Sequence, residues 1–213
     1  MSRDGDRQAP PRPRAQTTPT IVGTGEFSVD TTRWPAWQRA YRYGTLVIRP
    51  PARVRAVVDR WRARYDPVSQ GYVDTHITVT QPFRQEPTRQ AFAQITTILR
   101  LQHQFEIRYG PLRNFLPDPV LWLEVQPARR VMALRRALHE TGLFDLSQPH
   151  TDGFVPHMSI AEGLSSPQAD EALYAQLRGQ APVGKFPCRS ITYLRPDERF
   201  QFRKLRTFRL PGS

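Results

Sequence analysis

Residues 75–80 read THITVT, and residues 156–161 read PHMSIA. In the first stretch His76, Thr78 and Thr80 alternate with Ile77 and Val79. In the second His157 and Ser159 alternate with Met158 and Ile160. Alternation at period two marks a β-strand with two unlike faces. The apolar residues belong to a core face, and the imidazole and hydroxyl belong to the opposite one. The two stretches lie roughly 80 residues apart, and their surroundings repeat with them.

Around THITVT, the run GTLVIRP (44–50) predicts a strand closed by Pro50 and Pro51. PARVRAVVDRWRARY (51–65) places Val54, Val57, Val58 and Trp61 at helical spacing, and Asp66-Pro67 ends it. TRQAFAQITTILRLQ (88–102) predicts a second helix on Phe92, Ile95 and Leu99, and FEIRYG (105–110) a strand. Around PHMSIA the same order returns. VLWLEV (120–125) is a strand. ARRVMALRRALHETG (128–142) is a helix with Val131, Leu134 and Leu138 inward and Gly142 at its end. SSPQADEALYAQLRG (165–179) is a helix, and RSITYL (189–194) a strand. RFQFRKLRTFRL (199–210) adds one or two edge strands. The expectation is two tandem, equivalent lobes. Packed about a pseudo-two-fold axis, they turn their histidine faces toward one cleft.

A chain of 213 residues suits a single domain with a substantial core. Residues 1–32 are rich in Pro and Arg and poor in apolar residues, which predicts a disordered tail. The ordered domain, 33–213, then opens at WPAWQRAYRYG (34–44), whose aromatic residues are expected to pack onto it. No apolar run reaches the ~18 residues of a membrane span, and no secretory h-region is visible, so a cytoplasmic setting is expected. Cys188 is the only cysteine, which excludes an internal disulfide and a cysteine-based metal cluster. The net charge of +12 favours anionic partners such as nucleic acid or nucleotides. An arginine-rich genomic composition explains it equally well, so charge alone does not name the partner.

Two imidazoles and two hydroxyls facing one cleft suit phosphodiester transfer on RNA. Opening a ribose 2′,3′-cyclic phosphate needs in-line attack, with nucleophile and leaving oxygen on opposite sides of phosphorus. One imidazole can take a proton from the attacking water while the other gives one to the leaving ribose oxygen. The hydroxyls of Thr78 and Ser159 can donate to the non-bridging oxygens. This set calls for no metal and no cofactor. The sequence leaves open which histidine is the base.

HITV (76–79) and HMSI (157–160) resemble the paired His-x-Thr/Ser motifs of the 2H phosphoesterase superfamily. HITVTQPF (76–83), FVPHMSIAEG (154–163) and VLWLEVQP (120–127) are most similar to its 2′-5′ RNA ligase-like, or RNA 2′,3′-cyclic phosphodiesterase, branch. The resemblance covers roughly residues 42–210. It implies an α+β, bilobal fold with an antiparallel sheet in each lobe and the active site between them. It also implies a catalytic pair His76 and His157, phosphate contacts from Thr78 and Ser159, and an RNA or nucleotide substrate carrying a cyclic phosphate. A monomer is expected. A small cyclic nucleotide such as an ADP-ribose cyclic phosphate, or a nucleotide-binding module with a non-productive site, are the other readings. Many relatives carry a basic residue just after the second motif, where this chain has Glu162 and Gly163. Continued alternation places 157, 159 and 161 toward the cleft and Glu162 away from it.

Other residues are weighed against plainer roles. RNFLP (113–117) is read as a loop in which Arg113 and Phe115 are candidates to hold a phosphate and a base. Thr80 reads as an ordinary strand residue. His103, His139 and His150 read as surface residues, and their spacing fits no zinc motif. The eight basic residues between Lys185 and Arg209 read as a solvated edge with some affinity for RNA. No phosphate-binding glycine loop is present.

Overall fold

The computed structural model describes residues 29–115, 118–162 and 167–212. The expected tail falls outside them as far as residue 28. After a five-residue helix α1 (Ala36–Ala40), strand β1 (Thr45–Ile48) leads into α2 (Ala52–Tyr65), α3 (Pro67–Tyr72) and β2 (Ile77–Thr78). Helix α4 (Arg89–Arg100) precedes two long strands, β3 (Phe105–Phe115) and β4 (Asp118–Gln126). Helix α5 (Ala128–His139), β5 (His157–Ala161) and α6 (Pro167–Leu177) follow. The chain ends in β6 (Gly184–Cys188), β7 (Ser190–Pro196) and β8 (Phe202–Arg209).

The strands form two antiparallel four-stranded sheets, ordered β2-β1-β7-β8 and β5-β4-β3-β6. The two orders superpose: a histidine strand at one edge, then the strand that opens its helical crossover, then two more. The α+β, bilobal expectation therefore stands, with one correction to the tandem arrangement. FEIRYG pairs with β4 in the second sheet, and RSITYL pairs with β1 in the first. The lobes are equivalent but interleaved. The chain makes β1 and β2, builds the whole second sheet, then returns to complete the first.

Three further departures have local causes. Asp66 ends α2 as expected, but it also starts α3: its carboxylate accepts from Ser69 N–H at 3.0 Å, and Pro67 fills the first helical position. The stretch expected to be a loop at 113–117 is strand through Phe115, because β3 crosses a bulge between Tyr109 and Leu112 and continues pairing; residues 116 and 117 lie outside the described ones. Strand β6 is not expected from the sequence because it is short and carries Pro187, although buried Phe186 and Cys188 alternate with exposed Lys185 and Pro187. It is an edge strand, where a proline is tolerated.

One continuous core underlies both sheets. Leu46, Ile48, Ile77 and Val79 meet Leu121, Leu123, Met158 and Ile160 within it, all fully buried. The apolar residues of THITVT and PHMSIA thus face inward as their alternation predicts. A seam of polar contacts joins the lobes. Arg84 N–H donates to Leu143 O, Asp145 N–H donates to Pro82 O, and Phe83 lies against Phe144 with ring centroids 4.7 Å apart.

Candidate active site

His76 stands one residue ahead of β2, and His157 is the first residue of β5. Each is half-buried. Their rings are held in the same way. His76 Nδ1 lies 2.9 Å from Asp74 O, and His157 Nδ1 lies 2.6 Å from Val155 O, in each case the carbonyl two residues earlier. A carbonyl only accepts, so each Nδ1 carries the proton and each Nε2 keeps its lone pair. Asp74 is itself fixed, since its carboxylate is in an ion pair with Arg49. Just beyond, Asp59 accepts from both N–H and Oγ1–H of Thr75, at 2.8 and 2.6 Å.

The strands β2 and β5 adjoin across the lobes. Thr78 and Ser159 are half-buried on the same sides as their histidines. Thr80 is fully buried, and its Oγ1 accepts from Leu46 N–H at 3.1 Å, an ordinary strand role as expected. Burial, reinforced by the guanidinium of Arg62, pushes the His76 imidazole down to about 4. Burial likewise holds His157 below the usual histidine range. The carboxylate of Glu162 works against burial at both rings. The two imidazoles are close enough for the charge of His157 to be felt at His76.

Glu162 is the correction that matters most here. It lines the cavity that holds His76 and Thr78, instead of pointing away. The cause is a bulge. Leu121 pairs with Ala161 and Trp122 with Ser159, so β5 carries one extra residue at Ile160. Ile160 and Ala161 are both buried, the alternation resets, and the next side chain falls into the cleft. Its backbone N–H is held by Asp66 Oδ2 at 2.8 Å.

The surroundings of His157 are aromatic. Phe115 stacks on Trp122 at 4.5 Å and meets the His157 ring edge-on at 5.4 Å; Phe154 lies at 5.8 Å. Phe115 therefore stands beside His157. Arg113 is engaged with Glu124, at 2.8 Å. On the other side, a cavity of about 630 Å³ extends from His76 and Thr78 past Arg62 and Asp66.

His139 is not a surface residue. Helix α5 wedges against the segment after β2, so His139 Nε2 accepts from Gln81 N–H at 3.0 Å. Burial pushes its imidazole down to about 4. One turn earlier, Arg135 is buried. Its Nη1 donates to Val79 O at 3.1 Å, and its guanidinium lies 4.1 Å over the Phe154 ring. His103 and His150 are exposed, as expected. The C-terminal basic run is not one free face. Arg195 is buried and paired with Glu86, Arg203 pairs with Asp197 at 2.8 Å, and Lys185 pairs with Glu106 at 3.1 Å.

Among the described residues, no group of three or more His, Cys, Asp or Glu is placed to hold a metal ion, and no helix is long and apolar enough to cross a membrane.

Comparison with known proteins agrees with this picture. The sequence profile of the 2′-5′ RNA ligase superfamily matches residues 50–199. Proteins of Bacillus cereus (strain B4264) and Bacillus thuringiensis (strain Al Hakam), both named provisionally as phosphoesterases, are 28% and 27% identical over 158 residues. Each alignment spans 73% of this chain and 84% of the relative. The crystal structure of E. coli LigT complexed with NADP+ matches with a TM-score of 0.53 at 20% identity, over 79% of this chain and 98% of LigT. LigT complexed with 3′-AMP gives a TM-score of 0.52 at 18% identity, over 79% and 97%.

Proposed function

The chain belongs to the 2′-5′ RNA ligase superfamily, and we propose that it hydrolyses 2′,3′-cyclic phosphates on RNA ends or nucleotides, with His76 and His157 as the acid–base pair. The observation that carries this reading is the matched pinning of the two rings. Each Nδ1–H is spent on a carbonyl two residues back, at 2.9 and 2.6 Å, so each Nε2 is left for substrate. Both depressed imidazoles are neutral in the free protein at pH 7. A neutral Nε2 is what a general base requires.

The phosphate supplies what the second role requires. An anion between the two rings favours the imidazolium form of whichever ring is to act as acid, and Glu162 adds to that field. A water oxygen then forms a bond to phosphorus as the opposite ring P–O bond breaks. The water proton passes to one Nε2, and the imidazolium proton passes to the ribose oxygen that leaves. The product is a phosphate monoester, and exchange with solvent resets the pair. Thr78 and Ser159 donate to the non-bridging oxygens, where charge builds. Relatives named as phosphoesterases, and a LigT fold crystallised with 3′-AMP, support a nucleotide-type phosphate ester.

The test is incubation of the protein, with EDTA present, with an oligoribonucleotide ending in a 2′,3′-cyclic phosphate. His76→Ala and His157→Ala are assayed beside it. Wild type is expected to open the ring, and each variant to lose about 100- to 10,000-fold in kcat. Products run against 2′- and 3′-phosphate standards identify the bond that breaks. Near-normal turnover by both variants would end this mechanism.

A further inference from the structure

The cavity beside His76 is two-sided. One side carries His76, Thr78, Arg62 and Asp66. The other is built from rings: Trp37, Tyr41, Tyr72, Phe200 and Phe202. Its volume, about 630 Å³, falls in the ~300–1,000 Å³ range of small-molecule sites.

The rings form one connected stack of edges and faces. Phe200 is the hub, 5.1 Å from Trp37, 5.3 Å from Tyr72 and 5.3 Å from Phe202. Its backbone has φ 59°, a left-handed conformation that a bulky residue rarely adopts. The turn that forces it is well bonded. Phe200 N–H donates to Asp197 O at 2.8 Å, and Asp197 Oδ1 accepts from Arg199 N–H and Gln201 N–H, each at 3.0 Å. The strained backbone puts the Phe200 ring, only 4% exposed, under the indole of Trp37. Trp37 itself is 54% exposed. A large ring that lines the cavity, stands half in water and packs against other rings suits a stacking platform.

Four of these five rings lie outside the residues that the family profile matches, 50–199. Trp37 and Tyr41 precede the span, and Phe200 and Phe202 follow it. The aromatic wall thus comes mostly from outside the matched span, from α1 with Tyr41 after it and from the turn between β7 and β8 with the first residue of β8.

We propose that this aromatic pocket binds the nucleobase of the substrate, with the ribose directed toward His76 and the phosphate between the histidines; the placement of the phosphate rests on the reaction proposed above. The chemistry of the walls matches the parts of a nucleotide. Ring faces suit a base. The carboxylate of Glu162, in the cavity wall, suits donors such as a free 5′-hydroxyl or an exocyclic amine of the base. The phosphate belongs at the imidazole and hydroxyl end, where the Arg62 guanidinium also lies and both oxygens of Asp66 are taken up by backbone N–H groups. The substrate class narrows accordingly: cyclic phosphates on a nucleoside are bound well, and cyclic phosphates lacking a base are bound poorly.

The test is isothermal titration of the full chain with 3′-AMP and, separately, with inorganic phosphate. Wild type is compared with Trp37→Ala and Trp37→Phe. The half-exposed indole can be removed with little disturbance to the core, and the phenylalanine variant restores a ring. Wild type is expected to bind 3′-AMP more tightly than phosphate. Trp37→Ala should lose about 10-fold for 3′-AMP, within the range for loss of one base–aromatic stack. Trp37→Phe should recover most of it, and the loss should fall on the nucleotide and not on phosphate. Equal binding of 3′-AMP by Trp37→Ala and wild type would overturn the proposal. So would a wild type that binds 3′-AMP no better than phosphate. Turnover is not read, so failure of the cyclic-phosphate assay and failure of this one are separate results.

Discussion

Asp66 on the first lobe holds the backbone N–H of Glu162 on the second, at 2.8 Å. Its other oxygen caps α3 through Ser69 N–H at 3.0 Å. One buried carboxylate therefore fixes both a wall of the His76 cavity and the end of the strand that carries His157. Asp66→Ala leaves two N–H groups without their acceptor. It is expected to cost about 2–3 kcal/mol of stability, by the usual cost of a lost cap and a lost hydrogen bond to a charged group. Urea unfolding measures the loss. Activity should fall more than Asp66→Asn lowers it, since asparagine keeps one acceptor.

The pH profile tests the role of Glu162. Both catalytic candidates titrate below the ordinary histidine range, so kcat/KM is expected to peak on the acid side of pH 6.5. The Glu162 carboxylate raises both imidazoles. Glu162→Gln removes that charge and should move the profile further toward acid. A profile that stays in place would mean that Glu162 does not set the protonation of the pair.

The two hydroxyls are predicted to serve the transition state more than the fold. Thr78→Val and Ser159→Ala should each lower kcat by about 10- to 100-fold, somewhat below the loss of a dedicated oxyanion donor. Melting temperatures should stay within a few degrees of wild type, because both side chains are only half-buried and lie outside the apolar core. Steady-state kinetics with a nucleoside cyclic phosphate, beside a thermal melt, separates the two effects.

His139 makes stability depend on pH. Its folded imidazole titrates near 4 and its unfolded one near 6.5. The unfolded chain therefore binds the extra proton more readily. The stabilisation is complete above pH 6.5 and is lost as pH falls toward 4. The protonated ring also cannot accept from Gln81 N–H. The urea midpoint is expected to fall between pH 7 and pH 4.5, and to fall less steeply in His139→Gln. Equal slopes in the two proteins would remove His139 from the account.

The alternating motifs were legible because period two states two facts at once: Ile77, Val79, Met158 and Ile160 are buried, and the groups between them are not. The helices at 52–65, 89–100 and 128–139 were legible for the same kind of reason. Glu162 was not, because the bulge that turns it inward arises from pairing with β4, and no single strand records its partner's register. The exchange of β3 and β7 between sheets was hidden likewise. His139 was misread because helical spacing reports the main apolar face, and α5 is also gripped on its flank by the segment after β2. The aromatic pocket was half visible: Trp37 and Tyr41 announced themselves, but their partner Phe200 stands about 160 residues away.

The interleaving of the strands has a consequence for how the protein comes into being. Thr45 pairs with Leu194, a contact that spans most of the described chain. Such distant pairings are slow to form. During synthesis both histidine motifs emerge before β7 and β8, yet the first sheet cannot be completed until those last strands are out. A chain interrupted near residue 185 would hold every residue assigned to the chemistry and still lack the wall that shapes it. Competence is in this sense conferred last, by strands that contribute no catalytic group.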